Sequence, residues 1–96
     1  MFARVSTFTT GPETTSDAPS EDVVNRLLDM PGCLGMYYFT GRETGKDLAF
    51  TLWQSEEAMI ESREAVNKIR TEVSADEKRE IAEVDEYEVT VSNLKG

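Results

Sequence analysis

Hydrophobic and polar positions alternate with a period of two in four stretches and recur every three or four residues in two others. The longest continuous signal is 47–73, DLAFTLWQSEEAMIESREAVNKIRTEV. In its first part Leu48, Phe50 and Leu52 alternate with Ala49, Thr51 and Trp53, so both faces are largely apolar, as in a strand covered on both sides. Gln54 and Ser55 break the alternation. Ser55 is a good N-cap, and Glu56 and Glu57 place acid where the helix dipole favours it. Ala58, Met59, Ser62, Val66, Ile69 and Val73 then follow at helical spacing. The pattern predicts a long amphipathic helix of roughly 28 Å, at about 1.5 Å per residue, with Trp53 at the junction of strand and helix.

The remaining stretches order themselves around this one. Phe2 to Thr9 alternates as a strand, with Phe2, Arg4, Ser6 and Phe8 on one face and Ala3, Val5 and Thr7 on the other. Arg4 is therefore a strand residue, either a rim charge or a pocket cation. Segment 11–20, GPETTSDAPS, reads as a loop. Ser20 caps a short helix whose buried stripe is Val23, Val24, Leu27 and Leu28, and Met30-Pro31-Gly32 ends it. Cys33 to Thr40 is a second strand, with Leu34, Met36 and Tyr38 on one face and Gly35, Tyr37 and Phe39 on the other. A turn at 41–46 makes it an antiparallel hairpin with the next strand. Ser74 to Glu77 has capping-box spacing, for a restart or an extension of the helix. The stretch 82–92 is a fourth strand, with Tyr87, Val89 and Val91 as its apolar face, and 93–96 is a tail. The order β-α-β-β-α-β is the ferredoxin-like α+β plan with an antiparallel sheet, one domain over 1–96.

Charge and composition then narrow the function. With 19 acidic and 10 basic residues the formal charge is −9, which argues against nucleic acid and anionic membrane surfaces as partners. No apolar run approaches the length of a membrane span, and the N-terminus lacks a basic-then-apolar leader pattern. Cys33 is the only cysteine, which suits a reducing, cytoplasmic setting. There is no histidine, so His-dependent nucleophile systems, histidine general bases and histidine metal or haem ligands are all excluded. The GRETG stretch at 41–45 lacks phosphate-loop spacing and reads as a turn. Neither cofactor nor metal is expected.

The tryptophan that ends strand three before a Ser-Glu-Glu-Ala helix resembles the antibiotic biosynthesis monooxygenase (ABM) domain family. Leu52-Trp53-Gln54-Ser55-Glu56-Glu57-Ala58 is similar to that family's junction of strand and helix. Pro31-Gly32-Cys33-Leu34-Gly35 is similar to its approach to strand two, and Val84-Asp85-Glu86-Tyr87-Glu88-Val89 to its last strand. The resemblance implies a dimeric α/β barrel, a homodimer in which two sheets meet, with a pocket between sheet and helices in each protomer. It implies a small aromatic or apolar ligand and, for part of the family, cofactor-independent oxygenation of an activated phenol. That chemistry uses an aromatic slot and polar groups near an oxyanion, for which Trp53, Tyr37, Tyr38, Arg4 and Arg63 are candidates. Phe50 and Met59 complete the candidate ligand-binding set. The haem-degrading branch needs an axial histidine and has an asparagine in strand one, where this chain offers Ser6 and Thr7. The alternatives are a non-catalytic binding or interaction module, and a pocketless structural dimer of the same fold. Each candidate also has a structural reading: Trp53 as core, Arg63 paired with Glu56, Glu64 or Asn67, and Cys33 as a small buried apolar residue.

Overall fold

The computed structural model describes residues 1–15 and 18–94; parts of the 11–20 loop and of the 93–96 tail lie outside the described residues. The elements run β1 (Phe2–Thr9), α1 (Glu21–Leu28), β2 (Cys33–Thr40), β3 (Lys46–Trp53), α2 (Glu56–Glu77) and β4 (Glu80–Glu88). The four strands form one antiparallel sheet in the order β2-β3-β1-β4, the ferredoxin-like arrangement. Both helices lie on one face of it. Register puts Arg4 opposite Thr51 and Glu86, Ser6 opposite Ala49 and Val84, and Met36 opposite Thr51, so these residues all point at the helices.

The predicted caps are present. The Ser20 hydroxyl accepts from the Val23 amide and the Ser55 hydroxyl from the Ala58 amide, and each such cap contributes about 1 kcal/mol. α2 buries Met59, Ser62, Val66, Ile69, Arg70 and Val73, the expected stripe with Arg70 added and Ala58 only partly buried. Beyond Val73 the helix extends to Glu77 without a break, and Lys78 ends it in the left-handed conformation. The Ser74 hydroxyl donates to the Arg79 carbonyl, so it serves the helix exit and starts no new helix. The first loop seals that exit: the Thr15 amide donates to the Glu77 carbonyl at 3.1 Å and the Thr14 hydroxyl to the Lys78 carbonyl at 3.1 Å.

Leu27, Trp53, Met59, Val66, Ile69 and Val73 form the core between sheet and helices, each worth about 1.5–3 kcal/mol of burial. Two of the motifs meet at its edge. Gly32 sits at φ +79°, and a Cβ there would collide with the Cβ of Ala58, while its carbonyl accepts from the Gln54 amide at 2.9 Å. The Pro-Gly turn and the Trp-Gln-Ser junction are thus one packed unit, which requires glycine at 32.

Four expectations need correction. Of the α1 stripe only Leu27 is buried, and Leu28 is exposed, because α1 packs mainly over the edge strand β2. In β2 the register slips between Cys33 and Gly35, so Leu34 leaves the Met36 face and is 55 % exposed. β4 starts earlier and stops at Glu88, since its partner β1 begins at Phe2; one further bond, from the Val89 amide to the Met1 carbonyl, ends the ladder. Glu86, on the predicted polar face of β4, points at the helices, while Tyr87 is exposed and Val91 lies beyond the strand.

Candidate functional site

Among the spaces between the sheet and α2, two are bordered by Arg70. The first is an apolar cavity of about 40 Å³ lined by Leu27, Met36, Tyr38, Ala49, Val66, Ile69 and Val73, with Ser6, Thr51 and Arg70 as its polar wall. The second is an open groove of about 640 Å³ between α2 and β4, lined by Arg4, Arg63, Glu64, Asn67, Arg70, Val84, Asp85 and Glu86. Arg70 borders both.

The groove is organised by one carboxylate. Glu86 Oε2 accepts from Arg4 Nη2 at 2.8 Å and Nε at 3.1 Å, and its Oε1 accepts from Arg63 Nη2 at 2.6 Å. Hydrogen bonds from Arg63, and then from Arg4, hold the Glu86 carboxyl below the usual carboxylate range. Arg4 is buried and further donates to the Ser62 hydroxyl at 3.1 Å and the Met59 carbonyl at 2.8 Å. Its guanidinium carbon lies 5.5 Å from the Trp53 ring centroid, within cation–π range. Arg70, also buried, donates from Nε to the Ser6 hydroxyl at 3.0 Å and from Nη1 to Asn67 Oδ1 at 3.1 Å. Among the described residues no carboxylate pairs with it. Burial, then the like charge of Arg4, draws its pKa below the ordinary arginine value, although a guanidinium remains charged at neutral pH.

A second polar cluster lies at the other end of the sheet. Asp47 accepts from the Tyr38 hydroxyl at 2.7 Å, from Arg79 Nε at 3.2 Å and from the Gly41 amide at 3.1 Å. Arg79 also pairs with Glu77 and lies 5.5 Å from the Tyr38 ring centroid. Burial, then the bond to Asp47, pushes the Tyr38 hydroxyl well above the ordinary phenol range, so it is a poor proton donor to a ligand. This cluster ties the hairpin to the exit of α2.

The candidate residues therefore separate. Arg4 and Arg63 come together in the groove, and the Met59 carbonyl supports Arg4. Trp53 is fully buried, with its indole N–H on the Thr51 hydroxyl at 3.0 Å, and it does not line the apolar cavity. Tyr38 walls that cavity. Phe50 is on the opposite face of the sheet, edge-on to Phe39 at 5.0 Å between centroids, because a strand residue three before Trp53 must point away from it. Arg63 pairs across to β4, and not along its own helix, because Glu86 is on the helix-facing side. Cys33 is half-buried, and burial pushes its thiol pKa up, against a nucleophilic role. Sequence reading passed over Arg70 and Glu86. Arg70 did carry a signal: it lies four residues after Val66 and three before Val73, on the buried stripe. No cluster of three or more potential metal-ligating side chains occurs among the described residues. Among them, too, no helix is long and apolar enough to cross a membrane.

No protein-family model matches the chain. It is 37 % identical over 73 residues to two uncharacterised Mycobacterium tuberculosis proteins, MT2634 and Rv2557. The match takes in 73 % of this chain and 33 % of each relative, so it spans about a third of their length. A structure from Deinococcus radiodurans assigned as an antibiotic biosynthesis monooxygenase superposes with a TM-score of 0.72 at 16 % identity, over 100 % of both chains. SnoaB, a cofactor-independent oxygenase from Streptomyces nogalater, superposes at 0.68 and 16 % identity, over 98 % of this chain and 97 % of its own. A Chloroflexus aurantiacus structure with the same monooxygenase assignment gives 0.54, over 98 % and 96 %. The chain has the fold of the ABM proteins.

Proposed function

We propose that the chain is a homodimeric ABM-family domain that binds a small aromatic or apolar molecule between its sheet and helices, in a reducing, cytoplasmic setting. The observation that carries the binding reading is the apolar cavity, walled by Val66, Ile69 and Val73 and bordered at one side by Ser6 and Arg70. A pocket that is apolar with a few convergent polar groups is the usual form of a small-molecule site. The dimer is supported by the other face of the sheet, where Leu34, Tyr37, Phe39 and Tyr87 are each about half exposed and Tyr37 stacks on Phe39 at 6.0 Å. Such a contiguous apolar face favours a second copy as its cover. Light scattering should give twice the 10.8 kDa chain mass at micromolar concentration; a monomer would refute the assembly.

A cavity of about 40 Å³ holds no ring until its walls yield, since a cavity that takes up benzene measures about 150 Å³. That observation favours a second reading, a pocketless structural dimer. Titration of planar phenols and quinones separates the two. Binding should change Trp53 fluorescence and be seen by calorimetry, and cofactor-free oxygenation would add oxygen uptake with an anthrone. In that reaction a base takes a proton from the activated phenol or anthrone, and the anion passes one electron to O₂. The radical and superoxide then join in a C–O bond, and the protonated peroxide loses water to leave the carbonyl of a quinone. Silence in all three measurements would leave the structural dimer.

A further inference from the structure

We infer that the ligand of the sheet–helix cavity is a small aromatic or aliphatic carboxylate, its apolar body in the cavity and its carboxylate held by Arg70 at the groove. The inference rests on the cavity being a binding site, as proposed above. Arg70 is 7 % exposed, yet no carboxylate pairs with it among the described residues. Its partners, Ser6 and Asn67, are neutral. A buried guanidinium whose hydrogen bonds go only to neutral groups has lost hydration. The carboxylate of Glu86 acts on it only through space, while bonded to Arg4 and Arg63; a ligand carboxylate would give it a direct charged partner.

The chain has an ample supply of carboxylates, 19 in all, and assigns them elsewhere. Arg4 and Arg63 share Glu86, and Arg79 has Asp47 and Glu77. Arg70 Nη2 has no hydrogen-bond partner among the described residues. No side-chain nitrogen or oxygen there is both fully sealed and unsatisfied, so Nη2 is not fully sealed. The forked guanidinium matches a carboxylate in shape as well as charge. Because Arg70 borders both spaces, an anion on Nη2 places its substituent toward Val66, Ile69 and Val73. Of the three guanidiniums at this end, Arg4, Arg63 and Arg70, the shared carboxylate of Glu86 offsets one charge, so this cluster keeps an excess of positive charge. Glu86, Glu64 and Asp85 also line the groove, but Glu86 is held by Arg4 and Arg63 and the other two are exposed, and exposed charges are weakened by solvent and salt.

Calorimetry with benzoate and benzamide, an anion and its neutral near-isostere, tests this. Benzoate should bind about tenfold or more tightly than benzamide, as for a hydrogen bond to a charged group, and the ratio should shrink with added NaCl. Arg70→Gln should bring the ratio near one, chiefly by weakening benzoate, and Arg70→Lys should restore part of it. Should Arg70→Gln fail to fold, NMR of the arginine side chains in the native protein decides: benzoate, and not benzamide, should shift the Arg70 guanidinium signals. Benzamide binding without a benzoate preference, or a preference that survives Arg70→Gln, overturns this inference and leaves the binding reading intact. If neither compound binds, both fall.

Discussion

Two arginine clusters sit under the same helix, and they differ in how their charge is matched. At the hairpin end, Arg79 meets Asp47 and Glu77, the Tyr38 hydroxyl donates to Asp47, and the Gly41 amide supplies a further donor. At the groove end, Arg4 and Arg63 share the single carboxylate of Glu86, and Arg70 has only Ser6 and Asn67. The first cluster is sealed, with Arg79 1 % and Asp47 2 % exposed, while the second opens to a groove of about 640 Å³. A closed network in which the guanidinium meets two carboxylates specifies a fold. An open cluster with more guanidinium than carboxylate is what supports the proposed anion site. Burial alone does not tell the two apart, because Arg4 and Arg79 are both sealed; the number of carboxylates per guanidinium does.

The sharpest way to break the comparison is Asp47→Ala. It removes a carboxylate from a fully buried guanidinium and should cost about 3–5 kcal/mol in urea denaturation, a large share of the stability of a domain this size. A loss below 1 kcal/mol would mean the hairpin cluster is not structural. Next is Trp53→Phe, which deletes the bond to Thr51 and part of the surface over Arg4. It should lower stability by about 2 kcal/mol and leave ligand affinity unchanged, since Trp53 does not line the cavity. Weakened binding in a fully folded variant would instead put the indole in the site.

Glu86→Gln should cost less, about 1–2 kcal/mol at neutral pH. The pH dependence has a definite sign. Glu86 has a lowered pKa in the folded state, so its contribution is complete above the ordinary glutamate value near 4.3. The contribution is lost as pH falls through the lowered value. Thermal melts of the native protein should therefore decline more steeply in acid than those of Glu86→Gln, and parallel curves would contradict the pairing. The smallest effect belongs to Arg63→Ala. The side chain is 57 % exposed, and exposed ion pairs contribute little, so its melt should be indistinguishable from the native one. A clear destabilisation would show that the groove, too, is a structural network.

Much of the fold was legible because it is local. The period-two and helical stripes identified six elements in order, and the serine caps at 20 and 55 marked both helix starts to the residue. Alternation within β3 already separated Phe50 from Trp53, so including both in one pocket ran against the chain's own pattern. The β2 register slip was hidden, because a bulge depends on how two strands pair and not on the composition of either. The site was less legible still. Arg4 and Arg63 were identifiable as candidates, but their shared partner lies 82 and 23 residues away, and nothing local marks Glu86 among 19 acids. Arg70 lay on the buried stripe of α2, visible by spacing. That it bonds Ser6 of β1, 64 residues distant, and meets no carboxylate among the described residues was settled only when β1 and β4 came together beneath α2. Sequence by itself determined which residues could be buried; the tertiary structure decided which of the buried charges found a partner, because pairing is a long-range property of the packed chain.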